Sequence, residues 1–310
     1  MSVNVLYAGN EKLWPVYEVA LTEALAEHGL DATLSCDLPP AQVDYIVYAP
    51  NGKVQDFSPF TGAKAVLGLW AGVEKVVGNP TLTQPYTRMV DDGLTEGMTE
   101  WVTGQVLRHH LGLDQYIHRT DPIWHQPAPP LARDRTVAVL GLGALGCAAA
   151  QALRALNFKV CGWSRRPKDI AGIDCHSGDE GLRTVLAQAE IVVLLLPKTQ
   201  ATENILNAER LGWLPKGAVV INPGRGPLID DQALLVALGS GQVAHATLDV
   251  FRVEPLPDDH PFWTHPNVTV TPHIAADTRP SSAARVVAEN IRRSEAGEPL
   301  LHLVDREAGY

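Results

Sequence analysis

The segment that most restricts what this chain can fold into is Arg135 to Gly146, RTVAVLGLGALG. Thr136 to Leu140 reads as a buried strand, and it runs straight into Gly141, Gly143 and Gly146, a Gly-x-Gly-x-x-Gly spacing. Small and apolar residues then continue as a helix through Ala155. In that setting each glycine has its own task. Gly141 permits the tight turn, Gly143 lets backbone come close to a pyrophosphate, and Gly146 lets the new helix pack on the strand. The N–H groups at the helix start, around Ala144 and Leu145, face the phosphates, and the helix dipole favours their charge. A second strand follows at Phe158 to Trp163. The reading is a dinucleotide site; a ligand-free strand–helix turn is the alternative.

A chain of 310 residues has room for two domains with separate cores. Its formal charge of -10 argues against nucleic acid or an anionic membrane as main partner. Cys36, Cys147, Cys161 and Cys175 follow no paired metal spacing, so no metal is expected, and they read as reduced structural thiols of a cytoplasmic protein. The start, MSVNVLYAG, shows a strand pattern with no basic leader or cleavage pattern, and the longest aliphatic run, Ile191 to Leu196, is too short to span a bilayer.

The first hundred residues alternate short strands (Val3 to Tyr7, Asp31 to Ser35, Asp44 to Ala49, Lys64 to Trp70) with a helix from Glu11 to His28 that Gly29 stops. Alternation of this kind implies a parallel sheet with helices on its faces. The loop Leu69 to Glu74 follows a strand, where such sheets place ligands, and the small Ala71 and Gly72 leave backbone N–H groups open to a carboxylate. A helix is expected from Asp91 to Gly112, with His109 and His110 solvated or complementing the helix dipole. The Pro-rich Pro122 to Pro130 reads as an extended arm or a linker before the nucleotide fold, with Trp124 and His125 as candidates to reach a partner subunit.

After the glycine turn, the end of the second strand sets the cofactor preference. An acid there would bind ribose hydroxyls; this chain has Ser164, followed by Arg165 and Arg166. A carboxylate would repel a 2′-phosphate and the arginines would bind one, so NADP(H) is preferred, with NAD(H) possible. Further strands are expected at Ile191 to Leu196 (stopped by Pro197), Ala218 to Asn222, Val243 to Val250 and Val268 to Thr271. Helices are expected at Glu203 to Leu211, Asp231 to Leu238 and Ser281 to Glu295. That makes a doubly wound sheet of six or seven strands.

Three stretches just beyond strands carry the chemistry: Asn222-Pro223-Gly224-Arg225-Gly226, Leu248-Asp249-Val250-Phe251 leading to Glu254, and Thr271-Pro272-His273-Ile274-Ala275. Arg225 suits a carboxylate held bidentately. Asp249, ending a buried strand, needs a partner, and a nicotinamide amide would serve. Together Arg225, Glu254 and His273 are the set a 2-keto acid reductase needs. Arginine holds the carboxylate, histidine gives a proton to the carbonyl oxygen as hydride reaches carbon, and glutamate orients the histidine and favours its imidazolium form.

On GLGALG, NPGRG, LDVFRVEPLP and TPHIAA, in that order, the chain resembles the D-isomer-specific 2-hydroxyacid dehydrogenase family over nearly its whole length. WSRRPK, TPHIAADTRP and the closing VDREAGY are most similar to its glyoxylate/hydroxypyruvate reductase A type. The resemblance implies a two-domain α/β fold. A flavodoxin-like substrate domain spans 1–100 and is completed by 282–310, and a Rossmann dinucleotide domain spans 101–281. It implies catalytic Arg225, Glu254 and His273, substrate binding at Ala71 and Gly72, and a homodimer. Cofactor contacts are expected at Gly141, Gly143, Ala144, Leu145, Gly146, Ser164, Arg165, Arg166, Leu196, Pro197, Pro223, Gly224, Asp249, His273 and Ala275. The expected reaction is NADPH-dependent reduction of glyoxylate or hydroxypyruvate to the D-2-hydroxy acid. Trp70 and Tyr48 are expected to wall the substrate pocket, which leaves bulkier 2-keto acids such as phenylpyruvate open. A non-catalytic, dinucleotide-sensing binding protein is the reading from another class.

Overall fold

In the computed structural model, residues 2–117, 119–124 and 126–306 are described. His125, expected to reach a partner, and the last four residues of VDREAGY lie outside them. The chain divides into two compact units: Met1–Leu94 with Asp277–Tyr310, and Thr95–Ala276.

The first unit begins with β1 (Val3–Ala8), α1 (Trp14–Glu27), β2 (Ala32–Ser35), β3 (Tyr45–Tyr48), β4 (Ala65–Gly68) and β5 (Tyr86–Thr87). The five strands are parallel in the order β2-β1-β3-β4-β5. Strand alternation sorts the side chains. Val3, Val5, Tyr7, Tyr45, Val47, Ala65 and Leu67 share a core with α1, while Leu6, Ala8, Ile46, Tyr48 and Val66 pack on the other face with Phe57 and Phe60. The expected first helix opens as a 3₁₀ turn at Glu11–Leu13, capped by Asn10, and Gly29 ends it at φ +68°.

Then α2 (Asp92–His110) carries the chain into the second unit, followed by α3 (Asp114–Ile117), β6 (Thr136–Leu140), α4 (Ala144–Ala155), β7 (Lys159–Trp163), β8 (Asp174–His176), α5 (Gly178–Gln188), β9 (Ile191–Leu194), α6 (Ala208–Leu211), β10 (Ala218–Asn222), α7 (Asp231–Gly239), β11 (Val243–Leu248) and β12 (Val268–Val270). Seven parallel strands lie in the order β12-β11-β10-β9-β6-β7-β8. From β6 the chain winds outward through β7 and β8, then crosses to β9 on the other side, so β6 and β9 flank the switch point where doubly wound sheets bind ligands. Val137 and Val139 pack toward α2 and α4; Ala138 and Leu140 pack with α5 and α7. Lastly α8 (Pro280–Glu295) returns to the first unit, where Ala284, Val287, Ala288 and Ile291 share the α1 core.

Two expectations are corrected. The helix expected at 203–211 forms only at Ala208–Leu211. Before it, the Thr202 hydroxyl is engaged with Pro197 and Thr199, Asn204 sits at φ +52°, and the Asn207 side chain caps Arg210; polar side chains of this kind compete with helix formation. His109 and His110 are not solvated. His110 is 6% exposed and meets Phe158 edge-on. His109 reaches Thr247 Oγ1 at 2.8 Å and lies 4.9 Å from the His245 ring, because the last turn of α2 packs against β11.

This histidine pair makes stability depend on pH. Burial, with His245 and Arg108 adding to it and Asp114 opposing, pushes His109 down to about 4; burial also lowers His245. In the unfolded chain a histidine takes up its proton near pH 6.5. Between about pH 6.5 and 4 the unfolded state therefore holds more protons, and stability falls as pH falls. The melting temperature is expected to drop from pH 7 to pH 5, and His109→Gln, which keeps a polar contact to Thr247 without a titrating ring, to flatten that drop. Thermal melts across this range check it; equal slopes for the two proteins would contradict it.

Candidate active site

A parallel sheet places the loops that follow its strands along one edge, and the second unit uses nearly all of that edge. Reading across, β12 leads to His273, β11 to Asp249 and Glu254, β10 to Arg225, β9 to Leu196 and Pro197, β6 to the glycine turn, and β7 to Ser164. The expected catalytic residues therefore come from three adjacent strands.

Arg225 emerges from a loop closed on itself. Asn222, 1% exposed, accepts from the Gly224 N–H at 3.1 Å and donates to the Arg225 carbonyl at 2.9 Å. Arg225 Nη1 donates to the Gly224 carbonyl at 2.7 Å. On one side, a Cβ on Gly226 would lie 1.9 Å from the Phe251 carbonyl carbon, so the loop bearing Arg225 abuts the loop bearing Glu254.

Glu254 and His273 form a pair with Nδ1 and Oε2 2.8 Å apart. The other carboxylate oxygen accepts from the Phe251 N–H at 2.9 Å, which fixes the glutamate at both ends. His273 has φ +54°, a left-handed conformation costing a non-glycine residue on the order of 1 kcal/mol. Asp249 holds it there. This fully buried carboxylate accepts from Thr271 Oγ1 at 2.6 Å and from the Ile274 and Ala275 N–H groups at 2.9 Å each, while its carbonyl accepts from the His273 N–H at 2.8 Å. The partner that Asp249 was expected to need is supplied within the protein by segment 271–275. Thr271 and the Phe251 N–H are site-building groups to which sequence reasoning gave no role of their own. Only Thr271 carried a signal, a hydroxyl directly after a strand.

At the glycine turn the three tasks separate. Gly141 has φ +109°, and its Cβ would meet the Leu195 carbonyl oxygen at 2.4 Å. A Cβ on Gly146 would meet the Gly141 oxygen at 1.7 Å. Gly143 is different: nothing lies within 4 Å of its Cβ position. α4 starts there without a side-chain cap, Gly143 and Ala144 are exposed, and Leu145 packs against the core. Open N–H donors at a helix start fit a pyrophosphate. Beyond β7, Ser164 is buried with its hydroxyl on the Arg166 carbonyl at 2.7 Å, and Arg165 and Arg166 are exposed. Leu196 belongs to the core and Pro197 is partly exposed; Pro223, Gly224 and Ala275 are buried.

In the first unit, Trp70, Ala71 and Gly72 are partly exposed, and Lys75 Nζ lies 5.7 Å from the centre of the Trp70 ring. Thr278 Oγ1 donates to the Leu69 carbonyl at 2.8 Å and steadies the loop's entry. Tyr48 is a correction. It was expected to wall a pocket, but it is 2% exposed, its ring packs 5.1 Å from Phe57, and burial pushes its phenol pKa up. β3 lies between β1 and β4, and the strand period turns residue 48 into the core. Among the described residues no group of three or more His, Cys, Asp or Glu could hold a metal ion, and no helix is long and apolar enough to cross a membrane.

A Rossmann-type sheet, an open helix start after its first strand, and an Arg/Glu/His set on three neighbouring strands together define a dinucleotide-dependent oxidoreductase. The family described as D-isomer specific 2-hydroxyacid dehydrogenase, NAD binding domain, matches residues 103–275, and the chain belongs to the D-isomer-specific 2-hydroxyacid dehydrogenases. It is 40% identical over 256 residues to glyoxylate/hydroxypyruvate reductase A of Yersinia enterocolitica, covering 80% of this chain and 82% of that one. Among solved structures it resembles a D-isomer specific 2-hydroxyacid dehydrogenase from Xanthobacter autotrophicus Py2 in complex with NADPH and MES (40% identity, TM-score 0.91, all of both chains). It also resembles the NADPH-dependent glyoxylate/hydroxypyruvate reductase of Sinorhizobium meliloti in complex with NADP and sulfate (35% identity, TM-score 0.83, 100% of this chain and 99% of that one).

The glycines give a paired prediction. Gly146→Ala drives a methyl into the Gly141 carbonyl and is expected to lower the melting temperature. Gly143→Ala meets no protein atom, so the fold should keep its stability while NADPH binding weakens. Melting curves with and without NADPH check both; a destabilised Gly143→Ala protein would contradict the assignment.

Proposed function

We propose that this chain reduces a small 2-keto acid, glyoxylate or hydroxypyruvate, to the D-2-hydroxy acid, with NADPH preferred and NADH second. The observation that carries the reading is the His273–Glu254 pair at 2.8 Å, on the loops after β12 and β11, with β11 lying between β12 and the strand β10 that leads to Arg225. With Nδ1 given to Glu254, the other ring nitrogen, Nε2, is the one left to protonate the carbonyl oxygen. Arg225 holds the substrate carboxylate and polarises the neighbouring carbonyl. The dinucleotide supplies the hydride. The helix start at Gly143 to Leu145 and the backbone around Pro197, Gly224 and Ala275 hold it, and Arg165 and Arg166 receive a 2′-phosphate. The backbone at Ala71 and Gly72, with Trp70 beside them, is proposed as a carboxylate-binding loop.

The protein is expected to work as a homodimer in the cytoplasm. Leu111, Leu113, Ile117, Ile123, Trp124 and Leu131 expose an apolar stretch that a second copy would cover, and Trp124 is 86% exposed. Burial pushes the Cys161 thiol up to about 12, which suits an unreactive structural cysteine. Sedimentation velocity checks the assembly: twice the 33.5 kDa chain mass is expected, and a monomer at micromolar concentration would contradict it.

The reaction is tested by following NADPH and NADH oxidation with glyoxylate, hydroxypyruvate, pyruvate and phenylpyruvate. Strong turnover of the two small acids with NADPH is expected. His273→Ala and Arg225→Ala should keep NADPH binding and lose about two to four orders of magnitude in turnover. Full activity in His273→Ala would overturn the mechanism. Preference for phenylpyruvate would move the substrate to the bulkier acids, and tight NADPH binding without turnover of any acid would favour a sensing role.

A further inference from the structure

We propose that Arg252 is a positioning residue for Glu254: it pins the segment between Phe251 and Glu254 so that the carboxylate meets His273, without itself touching substrate. The inference rests on the acid–base reading of the Glu254–His273 pair.

Between the buried Phe251 and Leu256 the chain is exposed, and Val253 points 62% into solvent. A segment like this has little packing to hold it, yet Glu254 must be placed within hydrogen-bond reach of His273. Arg252 supplies the missing anchorage. Its guanidinium donates to Asn204 Oδ1 and to the Ile229 carbonyl. Its Nε lies 3.5 Å from Asp231 Oδ2, and its Nη1 lies 3.7 Å from Glu203 Oε1. These partners come from the turn before α6, from the end of the Arg225 loop and from the first turn of α7. One planar fork thus ties the segment to three separate stretches. Isolated surface ion pairs contribute little, but this side chain is only 30% exposed and part of a network. Burial raises the Asp231 carboxyl and Arg252 works against that rise, so the two are coupled.

The anchor passes its constraint on through backbone. A Cβ on Gly226 would lie 2.4 Å from the Arg252 nitrogen as well as 1.9 Å from the Phe251 carbonyl carbon, so the Phe251–Arg252 peptide is wedged against the Arg225 loop. On its other side the Phe251 N–H holds Glu254 Oε1, and Oε2 faces His273. Arg252 and Gly226 therefore set the spacing among all three catalytic side chains.

The test compares the full-length wild type, Arg252→Ala, Arg252→Lys, Asp231→Asn and Glu254→Gln. Measured are kcat and KM for glyoxylate, the pH profile of kcat, NADPH affinity by fluorescence, melting temperature, and the long-range ¹H–¹⁵N NMR signal of the His273 ring. Arg252→Ala is expected to lower kcat about ten- to a hundredfold, the cost of a misplaced reacting group, with NADPH affinity unchanged. Its pH profile of kcat and its His273 signal should move toward those of Glu254→Gln. Arg252→Lys, which keeps the charge and loses the fork, should recover part of the rate, and Asp231→Asn should show a smaller loss in the same direction. If the Ala protein does not fold, the Lys and Asn proteins carry the comparison. Wild-type kcat, pH profile and His273 signal in every folded Arg252 variant, whatever the melting temperature, would overturn the proposal. Full activity in Glu254→Gln would instead sink the acid–base reading, and the NMR signal would still report whether Arg252 governs the contact.

Discussion

Asp249 has no exposed surface, sits at the end of a buried strand, and must find hydrogen-bond donors inside the protein or cost several kcal/mol. It finds them in 271–275, which it gathers around one carboxylate. The satisfaction runs both ways. The loop gains an acceptor for N–H groups that the sheet has stopped pairing, and it is bent tightly enough to put His273 in a left-handed turn. The neighbouring strands β11 and β12 give the clasp its reach, since their register brings Leu248 opposite Val270 just before both loops leave the sheet. What looks like a feature of one histidine is set by where two strands end.

The architecture of the second unit was legible in the sequence because parallel strands buried on both faces are continuous apolar runs, and glycines mark their ends. Arg225, Glu254 and His273 were legible for the same reason, each lying a few residues beyond such a run. β5 and β8, of two and three residues, were not, since Tyr86–Thr87 and Asp174–His176 offer no apolar run. The helix expected at 203–211 failed because apolar spacing does not record the competing hydrogen bonds of Thr202, Asn204 and Asn207. The two histidines of α2 were misjudged because polarity suggested solvent, and Tyr48 because it ends a strand; the direction of all three is set by tertiary packing. The Asp249 clasp was invisible in detail because its donors are backbone groups, which every sequence has.

The glycine turn separates two demands that a motif merges. Gly141 and Gly146 are required by protein atoms already in place, the carbonyls of Leu195 and of Gly141 itself. They would be needed whether or not a ligand bound. Gly143 answers to nothing within the protein. The information about a ligand in the three-glycine pattern therefore lies mostly in its middle member, together with the uncapped helix start beside it. This is why the strand–turn–helix context fixes the fold more firmly than it fixes the cofactor. The cofactor preference has to come from residues elsewhere, Ser164 to Arg166.

The His273–Glu254 pair is open to solvent, with side chains 50% and 36% exposed. An exposed ion pair contributes at most about 1 kcal/mol, no more than the left-handed turn at His273 costs. The pair cannot hold its own geometry. That task falls to groups behind it: the buried Asp249 carboxylate under the histidine, and under the glutamate the Phe251 amide, wedged against Gly226 and tied down by Arg252. The arrangement suits chemistry that must reach substrate, because the pair stays accessible while the buried Asp249 carboxylate and Phe251 amide behind it hold its orientation.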